Sequence, residues 1–246
     1  MGLLEAFAQS SCTYCEGGIR DVQFQFFNTF SNIAILFAVY FAHRLIKKER
    51  VQTFSIKVLP VFVAFMGLGS FAWHGLPHPL TNLLDTIPIF FFAGFVLYFL
   101  LTKLINRKPF IVSLMFGVGL TAFLLAYYDA FFKGAWNGLE PYVFILLVIG
   151  TVFLGLLRRY GKVMFQGFLP LGFFVVALAF RIIDFPLCNL ITLYDHAVGT
   201  HFLWHTFVGI AFYATTRFLI RVEQTTNKGE TKLRPFGAEQ WRSHAV

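Results

Sequence analysis

The chain has 246 residues, 57% of them hydrophobic and only 13% charged, whereas ordinary soluble domains carry roughly 25% charged residues. Its 34 phenylalanines and its repeated apolar runs of about 20 residues exceed what a soluble domain of this length could bury. The formal net charge of +8 sits in particular loops rather than on one face, so it does not mark a nucleic-acid surface.

The N-terminal stretch MGLLEAFAQSSC has neither a basic n-region nor a long apolar h-region, so no cleavable signal peptide is expected. Ala6 stands where a myristoylation motif needs a hydroxyl residue. Cys12 and Cys15 could pair if the N-terminus lies outside. Together with Cys188 they make no disulfide framework and no zinc ribbon.

Seven apolar runs follow, at about 22–43, 56–74, 82–102, 109–128, 140–157, 163–183 and 200–220. Each is close to the length that crosses a hydrocarbon core of about 30 Å. The backbone there must bond to itself, so the runs are read as helices. The fold class is therefore all-α, a seven-transmembrane helix bundle. Residues 1–221 form one domain, and 222–246 form a tail expected to be disordered.

The loops orient the bundle. Arg44, Lys47, Lys48, Arg50 and Lys57 lie in the first loop, Lys103, Arg107 and Lys108 in the third, and Arg158, Arg159 and Lys162 in the fifth. The tail adds Arg217, Arg221, Lys228, Lys232, Arg234 and Arg242. The alternate loops are nearly free of basic residues. The positive-inside rule then puts the N-terminus outside and the C-terminus in the cytoplasm.

That topology brings ionisable residues to one depth. His74 closes the second run in GLGSFAWH. Asp85 opens the third in LLDTIP. His201 and His205 in HFLWH lie four apart, on one face at the outer end of the seventh. A lone histidine at a helix end is ordinarily interfacial. Three of them from two helices, with a carboxylate at the same level, point to a functional site. Three imidazoles with one open position make a catalytic zinc site, where a bound water ionises near neutral pH. Asp85 is placed to handle its proton. Ser70, one turn deeper than His74, is placed to bond the water or an oxyanion. His78 and His196 read as loop residues. His43 and His244 lie at the cytoplasmic side. Asp184 and Asp195 could orient a ligand histidine, but read more simply as solvated loop carboxylates.

These blocks carry a resemblance to the alkaline ceramidase family of seven-helix membrane hydrolases. CEGG with QFFNTFSN resembles the family's N-terminal cysteine–glutamate segment and first helix. GLGSFAWH, LLDTIP and HFLWH resemble its serine–histidine, aspartate and last-helix histidine blocks. The resemblance implies zinc on His74, His201 and His205, with Asp85 and Ser70 in the catalytic shell. Tyr142 is the nearest match to the family's helix 5 tyrosine. The eukaryotic calcium site does not carry over: its positions read Thr13, Glu16, Gly18 and Gln25, where only Glu16 keeps a carboxylate. The spare loops suggest a bacterial or otherwise divergent member.

The function expected is a zinc-dependent amidase that cleaves ceramide-like membrane lipids. An ester-cleaving phospholipase and a heptahelical receptor or sensor with a structural zinc are the alternatives. No nucleic acid and no obligate protein partner is indicated. A retinal protein is excluded, because 200–220 holds no lysine for a Schiff base.

Overall fold

Segments that must satisfy their backbone hydrogen bonds in an apolar surround fold as helices. Helix dominates the residues that the computed structural model describes, which are 14–18, 24–104, 139–188, 190–193 and 196–227. In chain order these are α1 (Cys15–Gly18), α2 (Phe26–Ser31), α3 (Ile33–Lys48), α4 (Phe54–Lys57), α5 (Leu59–Gly75) and α6 (Pro79–Leu104). After them come α7 (Glu140–Tyr160), α8 (Lys162–Phe165), α9 (Phe168–Ile183) and α10 (His201–Asn227). The strand content among the described residues is one antiparallel pair, β1 (Thr192–Leu193) with β2 (His196–Ala197), in which Thr192 faces Ala197.

Five segments are long and apolar enough to cross a membrane: Phe26–Lys48, Phe54–Gly75, Leu80–Leu104, Pro141–Tyr160 and Lys162–Ile183. They match five of the seven expected runs. The run at 109–128 lies outside the described residues. The seventh run is present as α10, 27 residues long. It falls short of the same apolar composition because His201 and His205 occupy its first two turns and Arg217 and Arg221 lie in its C-terminal half. The helix runs on to Asn227, past the point where the tail was expected to begin. Residues 228–246 lie outside the described set, as do Cys12, Thr13 and Asp195.

Each helix turns one stripe inward. Ile35, Leu59, Met66, Phe92, Leu156, Phe212 and Leu219 share one continuous core. The opposite stripes carry Phe37, Phe65, Leu68, Leu147, Leu154 and Leu169, all more than half exposed. Large apolar side chains facing outward along several helices fit a lipid surround, where they cost nothing.

The bundle has two chemically different ends. At one, the basic helix termini are tied together by polar contacts. Arg159 donates from Nη1 to the Leu104 carbonyl at 2.9 Å, Tyr160 Oη to the Lys103 carbonyl at 2.9 Å, Lys103 Nζ to Thr226 Oγ1 at 3.1 Å, and Gln224 Nε2 to Glu49 Oε2 at 2.7 Å. At the other end meet the start of α2, the end of α5, the start of α6, the end of α9 and the start of α10. All three histidines lie there.

Candidate metal centre

His74 ends α5, while His201 and His205 occupy the first two turns of α10. One donor atom from each can be chosen so that all lie within 4.8 Å of one another. Ring centroids are 5.1 Å apart for His74–His201, 4.9 Å for His74–His205 and 4.7 Å for His201–His205. All three side chains are buried. Buried polar nitrogens normally have a hydrogen-bond partner. Here His74 Nε2 and both ring nitrogens of His201 have none.

The partners that do exist set the tautomers. His74 Nδ1 lies 2.7 Å from Gln25 Oε1, which also accepts from Asn28 Nδ2 at 2.9 Å. An amide oxygen can only accept, so His74 carries its proton on Nδ1 and leaves the Nε2 lone pair free. His205 Nδ1 lies 2.7 Å from Ser31 Oγ, whose own hydrogen is directed to the Asn28 carbonyl at 3.0 Å. His205 therefore donates from Nδ1, and its Nε2, 3.4 Å from Ser70 Oγ, keeps its lone pair on the side of the cluster. A ligand histidine fixed by a bond to its other nitrogen is the usual arrangement at a metal. The orphaned nitrogens and oriented rings fit a metal ion, and a zinc-type donor set in particular.

Gln25 is thus more than a lost calcium position. Its backbone N–H also donates to the His74 carbonyl at 3.0 Å, so it holds both the end of α5 and the ring. Gln25→Leu is expected to weaken metal binding about 10–100-fold, the usual cost of losing a bond to a ligand histidine. Competition against a chelator of known affinity measures this, and an unchanged metal affinity would remove Gln25 from the role.

The N-terminal segment closes this end of the bundle. Glu16 accepts the backbone N–H groups of Phe27 and Asn28 at 2.7 and 2.9 Å, supplying from a distance the cap that opens α2. Burial pushes the Glu16 carboxyl above its ordinary pKa, and those two N–H bonds pull it back down. Cys15 forms a disulfide with Cys188. This corrects the reading of the three cysteines as giving no disulfide framework, and Cys15 is not available to Cys12. The spacing could not reveal a bridge across 173 residues.

Asp184 is a second correction. It is not a solvated loop carboxylate but 2% exposed. Its Oδ1 accepts the backbone N–H groups of Thr200 and His201 at 2.6 and 2.8 Å, and its Oδ2 accepts that of Cys15 at 2.9 Å. A negative charge here caps α10 and complements its dipole. It also fixes the turn that sets His201. Gly199 precedes that turn at φ +66, and a Cβ there would overlap Asp184 and Cys15. In the sequence Thr200 reads as the cap of α10, but its hydroxyl donates to the Phe180 carbonyl at 2.6 Å and leaves the capping to Asp184.

Ser70 and Asp85 meet through a close helix approach. A Cβ on Gly69 would overlap the backbone of Leu84 in α6. Pro88, inside that helix, lacks the N–H that would bond the Leu84 carbonyl. Glycine therefore backs onto a carbonyl that proline has freed. The next residues on each helix, Ser70 and Asp85, are brought within interacting range, the serine hydroxyl toward the carboxylate. Ser70 Oγ also lies 3.4 Å from His205 Nε2, so the hydroxyl stands between the carboxylate and the histidines. Tyr142, buried on α7, is within electrostatic range of Asp85 and packs edge-on to Trp204 at 5.5 Å.

Tyr14 and Arg181, besides Ser31, were not foreseen at this end. The Tyr14 ring packs on that of His201, centroids 3.9 Å apart and planes tilted by 34°. Arg181 of α9 donates from Nη1 to Tyr14 Oη at 3.1 Å. His78 is exposed outside the cluster, where its Nδ1 accepts the Leu80 N–H at 3.2 Å. His43 is exposed on α3, and His244 lies outside the described residues.

A comparison with curated proteins finds no match to the chain. The family model described as Ceramidase, in contrast, matches residues 7–245, a span that takes in Glu16, Ser70, His74, Asp85, His201 and His205. On that match the chain belongs to the Ceramidase family.

Proposed function

We propose that the chain is a zinc-dependent membrane amidase, which cleaves the N-acyl amide of ceramide-like lipids to a fatty acid and a sphingoid-type base. The observation that carries this reading is the convergence of three buried histidines, with unpartnered ring nitrogens on His74 and His201, beside the Ser70–Asp85 pair. His74, His201 and His205 would hold the ion. When bound, zinc supplies a Lewis acid for the amide carbonyl and lowers the pKa of a water to about 7. Asp85 takes the proton of the attacking water on its carboxylate and returns it to the leaving amine nitrogen. Once Asp85 holds that proton it no longer accepts from Ser70, whose hydroxyl is then free to turn toward the oxygen on which negative charge develops. Tyr142 positions the lipid carbonyl from the α7 side.

The histidine end lies at the outer interface in this reading, because the basic end belongs in the cytoplasm. The seven-span arrangement with the N-terminus outside follows from the same rule. Lipid would reach the site sideways from the outer leaflet.

The test is hydrolysis of matched amide and ester lipids by detergent-purified protein, with His205→Ala as control. Cleavage of the amide lipid supports the reading. Cleavage of the ester alone makes the protein a phospholipase. A zinc-loaded protein that cleaves neither points to a receptor or sensor.

Calcium is not part of this proposal. Thr13, Gly18 and Gln25 offer no carboxylate, and both oxygens of Glu16 already accept backbone N–H groups. Adding calcium to calcium-depleted protein is expected to leave activity nearly unchanged. A strong, saturable activation would show that the N-terminal segment had been matched wrongly.

A further inference from the structure

Arg181 is the cation that the proposed chemistry leaves unused. It projects from the last turn of α9 into the end of the bundle that holds the histidines. Three aromatic rings surround its guanidinium, with the carbon 5.4 Å from the Tyr14 ring centre, 5.5 Å from Tyr142 and 5.6 Å from Trp204. Such rings attract a cation but take none of its hydrogen-bond donors. Among the described residues, its hydrogen bond runs from Nη1 to Tyr14 Oη. Nε is buried and has no partner.

Among the described residues no carboxylate lies within ion-pair distance of Arg181. Asp85 and Asp184 reach it only through longer-range electrostatics. Asp85 is engaged with Ser70, and Asp184 with three backbone N–H groups. A guanidinium cannot escape this by losing its proton. A partly buried, permanently charged group with spare donors and no counter-ion is costly unless an anion completes it. The planar fork of donors suits a carboxylate better than a neutral oxygen.

We propose that Arg181 is an anion-binding residue of this site and receives the carboxylate of a long-chain fatty acid. This rests on the amidase reading in one respect: hydrolysis of an N-acyl lipid turns a neutral amide into that carboxylate. Arg181 then discriminates product from substrate by charge. The rings of Tyr14, Tyr142 and Trp204 hold the guanidinium at the edge of the site, so that its free donors reach the new anion.

The test is equilibrium binding of labelled oleate to the detergent-purified protein, with oleyl alcohol as the neutral competitor. It is run on metal-loaded and on metal-stripped protein, since a carboxylate also ligates zinc. Wild type is expected to prefer oleate over the alcohol by about 10-fold or more with the metal removed, the factor a charged hydrogen bond contributes. Arg181→Gln should abolish that preference and leave the alcohol's affinity in place. Arg181→Lys, which keeps the charge but loses the fork, should fall between them. Equal binding of oleate and alcohol by stripped wild type overturns the proposal, whether or not any variant folds. So does undiminished oleate preference in a folded Arg181→Gln. Failure of amide hydrolysis beside an Arg181-dependent preference would sink the amidase reading and leave the anion site standing.

Discussion

Alanine at both His201 and His205 is expected to abolish metal binding and, with it, all lipid hydrolysis, in a protein that still inserts and folds. Wild type should carry about one zinc per chain, because three imidazoles with a fourth position open make one catalytic-type site. Removing two of three ligands leaves His74 with Gln25 and nothing else to hold the ion. The fold should survive. His201 contributes to the start of α10 through its backbone N–H, which alanine retains for Asp184. The His201 ring has no protein partner to lose, and the His205 ring gives up only its contacts with Ser31 and Ser70. Metal analysis of the purified double variant decides the matter. Stoichiometric zinc in that variant would overturn the ligand assignment, and lipid hydrolysis without zinc would separate the metal from the chemistry.

The histidine cluster was legible because topology is a strong constraint. Once apolar runs must cross a membrane, the parity of the spans fixes which helix ends share a depth, and HFLWH and GLGSFAWH fall together without any contact being known. What escaped is the support. Gln25 and Ser31 orient their histidines only because α2 packs against the end of α5 and the start of α10, and nothing in the spacing announces that neighbourhood. Asp184 looked solvated because a carboxylate just past an apolar run usually is. Here a bridge from Cys15 to Cys188 and a positive φ at Gly199 fold the chain over it. Arg181 was invisible for a related reason. Its surroundings come from three distant segments, carrying Tyr14, Tyr142 and Trp204, and a lone arginine near a helix end reads as one more interfacial charge.

Asp85→Asn is expected to fold, keep its zinc and lose at least about 100-fold in kcat, the lower range of what a positioned general base contributes. The substitution keeps the shape of the side chain and its capacity to accept from Ser70, but it cannot take a proton. Two roles are open to a carboxylate in this place, and the structure separates what each would require. A carboxylate that orients a ligand histidine bonds to its ring nitrogen. In this site those positions are filled by Gln25 for His74 and by Ser31 for His205, while His201 has no ring partner. Asp85 bonds to Ser70 instead, and Ser70 reaches His205 Nε2 from the side where the ion would sit. The carboxylate is therefore one hydroxyl away from His205 Nε2 and outside the set that positions the histidine rings. Its loss should fall on turnover and spare metal affinity. Gly69 and Pro88 reinforce the point, because the close helix approach they allow brings Asp85 to Ser70 and to no histidine directly. Parallel measurement of kcat and zinc affinity in Asp85→Asn reads the difference. A fall in zinc affinity proportionate to the fall in activity would make Asp85 a supporting residue, and wild-type turnover in the variant would remove it from the mechanism altogether.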